Sequence, residues 1–304
     1  MPLLSDLYDI SSRGNIRGKS NEGFVRPTIG EFFMSDRDFE EVENFITGPG
    51  PKTINYDSTT DTGYYGVVNS ADLCEGSTLA SDIGLSAGTL QYNDAGWLKF
   101  YVGPSADCNK DGVEKVLFIA KKTIRHSVSW DDIYIAGAVN GTNDNGPVSA
   151  SDGTTVIQNA KVIYNQYEFK VRLLTGSATN PVIEPWGNFQ CLENHGSGSE
   201  WNDLLYRVHV DVPNCNDIII GMPGGQASSR HGGPQYGVNW ANYTNIDLQI
   251  YNAINGTYCW CQEKGNNLSR RVHRGRHGIA TLHTGGAQSS ASDDGWRPVL
   301  ELIQ

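Results

Sequence analysis

Arg270-Arg271-Val272-His273-Arg274-Gly275, followed at a distance by Ser289-Ser290-Ala291-Ser292-Asp293-Asp294-Gly295-Trp296-Arg297-Pro298-Val299-Leu300-Glu301-Leu302, is the stretch whose reading decides the fold. A basic, strand-like segment leads into a long polar loop rich in glycine, and an amphipathic strand then runs to the end of the sequence. The pattern predicts a chain that closes inside its own core, with a loop of small and polar residues suspended between two strands. A loop held on a rigid scaffold in this way is suited to presenting a binding surface.

The composition supports a loop-rich fold. Over 304 residues, 38% are hydrophobic and only 19% charged, with 35 glycines, 7 tryptophans and 14 tyrosines. Low charge with many glycines and aromatics favours short strands over long helices, and that aromatic content argues against disorder. The length allows one large domain or two small ones. A net charge of −11 excludes nonspecific binding to nucleic acid or to an anionic membrane. No run approaches the roughly 18 apolar residues of a membrane helix, so no membrane insertion is expected. Met1-Pro2-Leu3-Leu4-Ser5-Asp6 lacks the basic start and apolar core of a secretory signal, which leaves release by lysis, inside a particle, as a route out of a cell.

Six cysteines (Cys74, Cys108, Cys191, Cys215, Cys259 and Cys261) are too sparse for a disulfide-built scaffold, and without CxxC pairs they give no zinc ribbon. Cys259 and Cys261 share one face of a strand and are expected to be packed or unpaired. The sequons at Asn140, Asn242, Asn255 and Asn267 are near the number expected by chance in a chain this rich in Asn, Ser and Thr.

Residues 1–50 differ from the rest. Gly14, Gly18, Gly23 and Pro27 interrupt the first part, a short helix is predicted over 35–46, and Gly48-Pro49-Gly50-Pro51 ends it. The segment reads as a docking arm, and 51–304 as the display domain. Within that domain, 96–102 and 115–120 predict one hairpin, and 160–164 with 167–174 a second, turning at Asn165-Gln166. Helices are predicted from Ser129 to about Gly137 and over 199–208, and strands at 247–251 and 259–263. Together these elements predict an α+β fold with short strands, two helices and long irregular loops.

Several segments, in this order, carry a resemblance. They are Gly96-Trp97-Leu98-Lys99-Phe100, Ile119 to Trp130, Tyr167 to Gly176, Gly198-Ser199-Glu200-Trp201-Asn202, Tyr258 to Glu263 and Gly295 to Glu301. Over 65–304 the chain resembles a module of phage and prophage virion structural proteins, found on tail fibres, baseplates and capsid surfaces. The closing segment is similar to the C-type-lectin-like fold, including that of formylglycine-generating enzymes. The resemblance implies a C-type-lectin-like domain behind an extended N-terminal arm. The enzyme needs two cysteines in the loop corresponding to 276–288, where this chain has none. The scaffold is therefore expected without the catalyst, and the formylglycine-generating oxidase stands only as a disfavoured alternative.

Candidate sites follow from residue type. Asp107-Cys108-Asn109-Lys110-Asp111-Gly112 opens like a calcium loop, with Asp107, Asn109 and Asp111 as alternate oxygen ligands, but Phe118 stands where the bidentate glutamate belongs. A hairpin turn is the preferred reading. His273 and His277 are four apart, which gathers imidazoles on a helix and not on a strand, so no metal site is expected there. The cluster of Arg270, Arg271, Arg274 and Arg276 with His277 and His283 reads either as a contact for an acidic sugar, a phosphate or a neighbouring subunit, or as a basic face paired with local acids.

Among the aromatics, Trp97, Trp130, Trp201 and Trp296 sit in regular elements and read as core. Trp186, His195, Tyr236, Trp240, Tyr243, Trp260 and, with less weight, Trp296 are candidates for stacking on sugars or for anchoring a protein interface. Arg230, His231, Tyr236 and Trp240 are the favoured presented residues, and Arg297 is expected to pair with Glu200 or Asp203. No catalytic triad, P-loop or dinucleotide fingerprint is present, so neither enzymatic activity nor a cofactor is expected. The expected function is that of a virion structural protein located on the particle. It docks onto other virion proteins through residues 1–50, assembles as a homo-oligomer (trimer favoured), and binds a host-surface glycan or protein or decorates the capsid.

Overall fold

The computed structural model describes residues 46–182, 197–210 and 238–304, apart from 252, 253, 266, 268, 277 and 280. The predicted helix over 35–46 and nearly all of the arm lie outside the described residues, as do Trp186, His195, Cys191 and Cys215. From Thr47 on, the described residues belong to one unit, Thr47–Gln304.

Its strands are β1 Asn55–Asp57, β2 Thr62–Val68, β3 Thr89–Leu90, β4 Trp97–Val102, β5 Lys115–Ala120, β6 Arg125–His126, β7 Lys161–Tyr164, β8 Tyr167–Leu173, β9 Tyr258–Lys264, β10 Arg270–Gly275, β11 Leu282–Gly286, β12 Asp294–Trp296 and β13 Pro298–Leu302. Two helices, α1 Gly76–Asp82 and α2 Trp130–Ile135, are short, and Trp201–Leu205 and Tyr206–Val208 form a π-helical and a 3-10 turn. One sheet has the order β1-β2-β4-β5-β13-β8-β7, and the other β11-β10-β9-β12-β6-β3. Among the described residues, the pairings between these strands are antiparallel except β9 with β12.

The α+β expectation is overturned, and with it the two-helix, C-type-lectin-like layout. Of the described residues 32% are in strands or bridges and only 12% are helical, which is a mostly β architecture of two sheets. The helix at Ser129 does form. Its capping box is complete, with Asp132 N donating to Ser129 Oγ at 3.0 Å and Ser129 N to Asp132 Oδ2 at 3.0 Å. It ends within two turns because Gly137, at φ 72°, closes it: Ala138 N bonds Ile133 O and Gly137 N bonds Tyr134 O. The segment expected as a second helix is buried on every side from Trp201 to Leu205, so it has no solvent face to make amphipathic and packs as a single widened turn.

Both predicted hairpins are present, with β4 paired to β5 and β7 to β8. Asn165 and Gln166 both have positive φ, as a tight turn between right-twisted strands requires. The predicted strand at 247–251 is instead a turn. Thr244 and Asp247 cap each other, Leu248 N bonds Thr244 O, and Gln249 takes φ 53°. Leu248 and Ile250 still reach the core, which is why their alternation looked strand-like. The closing loop is not a simple suspension, because β11 lies within it and pairs along β10.

β13 enters the middle of the seven-stranded sheet, between β5 and β8. Arg172 on β8 is buried there between two carboxylates, its Nε 2.7 Å from Glu301 Oε2 on β13 and its Nη2 2.6 Å from Glu200 Oε1. Lys170 reaches the other Glu301 oxygen at 2.8 Å. Burial alone would raise the Glu301 carboxyl, yet Arg172, Lys115 and Lys170 hold it at about 2. Its contribution to stability is therefore complete above pH 4.5 and is lost as pH falls through about 2. Arg172→Met leaves the two buried carboxylates without their shared cation. Denaturant unfolding at pH 7 is expected to show a loss of about 3–5 kcal/mol.

Candidate functional site

The six-stranded sheet, sheet two, has one face on the hydrophobic core and a second, outer face, itself largely buried, set by the period of two along its strands. Cys259, Cys261, Val272 and Leu282 point into the hydrophobic core, while Tyr258, Trp260, His273 and His283 form a row on the other face. His273 stands opposite His283 on β11 and opposite Trp260 on β9. Its ring lies 3.7 Å from Trp260 and nearly perpendicular to it, 4.9 Å from Tyr258 and 6.3 Å from His283. His283 stacks on Tyr258 with ring centroids 5.6 Å apart and planes within 9°.

Charged groups close the row. The Arg276 guanidinium sits 5.0 Å over the Tyr258 ring, and its Nε is 3.1 Å from Asp293 Oδ2. Asp294 Oδ1 approaches His273 Nδ1 to 3.8 Å, and Asp294 Oδ2 accepts from Ser289 Oγ at 2.5 Å and Ala291 N at 3.0 Å. Burial lifts the Asp294 carboxyl to about 6, against the pull of those hydrogen bonds. Burial also pushes His273 well below the ordinary imidazole value, helped by His283, Arg270 and Arg276, so the ring is neutral near pH 7. Ser289 gives its proton to a carboxylate and not to an imidazole, so these three residues are not arranged as a nucleophilic triad. What remains is a polar-aromatic cluster in which Tyr258, Trp260, His273 and Asp294 are buried, and His283, Arg276 and Asp293, half-buried at its rim, are the groups that reach solvent. Such groups stack on and hydrogen-bond a ligand.

Of the residues expected to present a surface, Arg276 and His283 come together here. Arg230, His231, Tyr236 and His277 lie outside the described residues. Arg274 is corrected: it turns inward, donating to Gly176 O at 2.6 Å and Asn202 Oδ1 at 2.8 Å. Arg271 is also buried, its guanidinium 4.3 Å over Trp130. The cationic cluster is thus split by the strand: β10 keeps an unbroken register with β11, so the period of two puts Arg270 and Arg274 on one face and Arg271 on the other with His273.

Trp240 is half-buried, 3.8 Å beneath the Arg207 guanidinium and stacked on Tyr64 at 6.3 Å, so it braces the core. Tyr243 lies under Lys121 at 4.0 Å, and Trp260 is buried with Nε1 on Val128 O. Trp97, Trp130, Trp201 and Trp296 are buried, as their positions suggested. Arg297 is structural but not as expected. It donates to Ala120 O, Lys121 O, Leu248 O and Cys259 Sγ, while Glu200 is taken by Arg172.

The calcium candidates are engaged in a turn. Asn109 Nδ2 donates to Gly103 O and Val113 O, Asp111 binds Val113 N and Lys115 Nζ, and Asp107 accepts from Ser197 Oγ. Among the described residues, no group of three His, Cys, Asp or Glu side chains is placed to hold a metal ion.

Asp293, Asp294 and Tyr258 were not singled out as site residues from sequence. The signal was available in the period of two that places Tyr258 and Trp260 on one face and Cys259 and Cys261 on the other. Gly285 was equally silent, yet it makes the row possible: any Cβ there would overlap the His273 ring, whereas Gly286 beside it faces open space. Gly285→Ala is therefore expected to lower stability by about 1–3 kcal/mol, while Gly286→Ala stays within about 0.5 kcal/mol, as read by paired thermal melts. No protein-family model, curated protein or solved structure matches the chain, so the chemistry of the site is read from its own residues.

Proposed function

We propose that this chain is a structural protein of a phage particle, docked through residues 1–50 and displaying the rim of sheet two, with Arg276, His283 and Asp293, to a ligand. The observation that carries the reading is where the arginines go. Arg172, Arg207, Arg271, Arg274 and Arg297 are all buried as internal braces, which leaves a stiff scaffold with a small set of binding-type groups at its edge. The order of the sequence segments that resemble virion modules supports the particle setting. The ligand class is a host-surface glycan or protein, and capsid decoration is the equivalent role on a head. Assembly as a symmetric homo-oligomer, a trimer, belongs to the same proposal, since repeated copies make weak single sites sufficient.

Immunogold labelling of purified particles tests the setting: labelled heads or tails are expected, and intact particles that lack the protein end the reading. The arm is tested by truncation. Lys99 is buried on β4, and its Nζ donates to Pro49 O at 3.0 Å and Pro51 O at 2.7 Å, over the Tyr65 ring at 4.7 Å. Burial, with Lys52 nearby, brings the Lys99 amine down to about 7. A cut after residue 46 keeps both carbonyls, whereas a cut after 50 removes one. Both truncations are expected to lose particle incorporation. The shorter chain is expected to be less stable than the longer by about 1–3 kcal/mol in denaturant unfolding.

A further inference from the structure

We propose that β11 is an acid-released clasp: a proton taken up by His273 holds the strand lifted and uncovers the His273 ring and the face of Tyr258 on which His283 stacks. Its use in display rests on the particle reading above, but the strand's response to acid does not.

The geometry has three parts. β11 is the terminal strand of its sheet among the described residues, bonded along β10 alone. It covers His273 closely, since Gly285 lies directly against the ring. The groups facing that ring come from every neighbouring strand: Tyr258 and Trp260 from β9, His283 from β11, Asp294 from β12, with Arg270 and Arg276 along β10's own line. Neither ring nitrogen has a hydrogen-bond partner in the closed arrangement. The site therefore holds a neutral imidazole and refuses a charged one.

A lifted strand reverses that preference. His273 in water takes up a proton near its ordinary value of 6.5, and the closed strand does not. Each pH unit below 6.5 therefore multiplies the lifted population by up to about tenfold. Asp294 has the opposite sign. Its carboxyl titrates at about 6 when buried and at 3.8 when exposed, so exposing it is disfavoured as pH falls from 6 towards 3.8. Complete unfolding exposes both groups, and their effects oppose. When β11 alone lifts, Asp294 keeps Ser289 Oγ and Ala291 N, which belong to its own loop. Ala287 anchors that loop, its N bonded to Ser269 O and its O to Asp131 N. Of His273 and Asp294, only His273 then responds, and acid opens the edge without unfolding the domain.

Amide hydrogen exchange of the full chain between pH 7 and pH 5, corrected for intrinsic rates, tests this. Protection of β11 amides and of the β10 amides facing them is expected to fall by up to about tenfold per unit below pH 6.5, while β4 and β5 amides hold theirs. His273→Phe is expected to give a flat profile, with His273→Gln read in its place should the first variant not fold. Asp294→Asn is expected to keep the slope. A flat wild-type profile, a parallel loss in β4 and β5, a slope that survives loss of the imidazole, or a slope abolished by Asp294→Asn would each overturn the proposal.

Discussion

One guanidinium holds the architecture to a single arrangement. Arg172 lies between Glu301 on the closing strand and Glu200 at the head of the helical turn, with each carboxylate also engaged elsewhere, by Lys170 and by Thr175 N. The turn in turn sends Trp201 Nε1 to Ile279 O, in the connection between β10 and β11 of the second sheet. The position of β13 in one sheet and the path of the connection in the other are thus tied through one buried charge cluster. Buried ion pairs repay their desolvation only when the hydrogen bonding is this complete, so the cluster acts on register more than on raw stability. A β13 slipped by one residue would turn Glu301 away from Arg172 and put charge where Val299 and Leu300 need apolar neighbours.

The other buried arginines answer a related demand. A chain with 35 glycines and long irregular connections leaves many carbonyls outside regular ladders, and each needs a donor. A guanidinium offers five, in a fixed plane. Arg297 spends its donors on three carbonyls and the Cys259 thiol, and Arg274 spends its own on Gly176 O and Asn202 Oδ1. Arg207 joins Asp57, Thr60, Thr62 and Val238 O while covering Trp240. The aromatic rings beneath Arg207, Arg271 and Arg274 supply the apolar side of each brace.

What was legible in the sequence follows from locality. The hairpins at β4–β5 and β7–β8, the closing strand and the cap at Ser129 depend on residues a few positions apart, and their alternation or hydrogen-bonding residues state them directly. The turn at 201–205, the turn at 247–251 and β11 depend on distant partners. Trp201 is placed by Ile279, Gln249 by Thr123 and Asn255, and β11 by the length of β10. The arginines misled for the same reason. Four basic residues in seven look like a surface, and only the distant partners, Trp130 against one face and Gly176 and Asn202 against the other, show that Arg271 and Arg274 are buried while Arg270 and Arg276 stay near solvent. The candidate site was legible only in Trp260, Arg276 and His283, because Tyr258 and Asp294, which complete it, enter from β9 and β12.

The placement of that site at a sheet edge has a physical logic. A row of rings needs closely packed strands, and close packing around His273 required a residue without a side chain at position 285. Glycine there gives up the packing that would otherwise hold an end strand to its neighbour. β11 therefore presents the rim of the site from an end strand of sheet two. Stiffness is concentrated in the arginine braces behind it, so movement at the edge need not propagate into the core. A surface built this way can change its exposed groups while the scaffold keeps its shape, which a binding face on a central strand could not do.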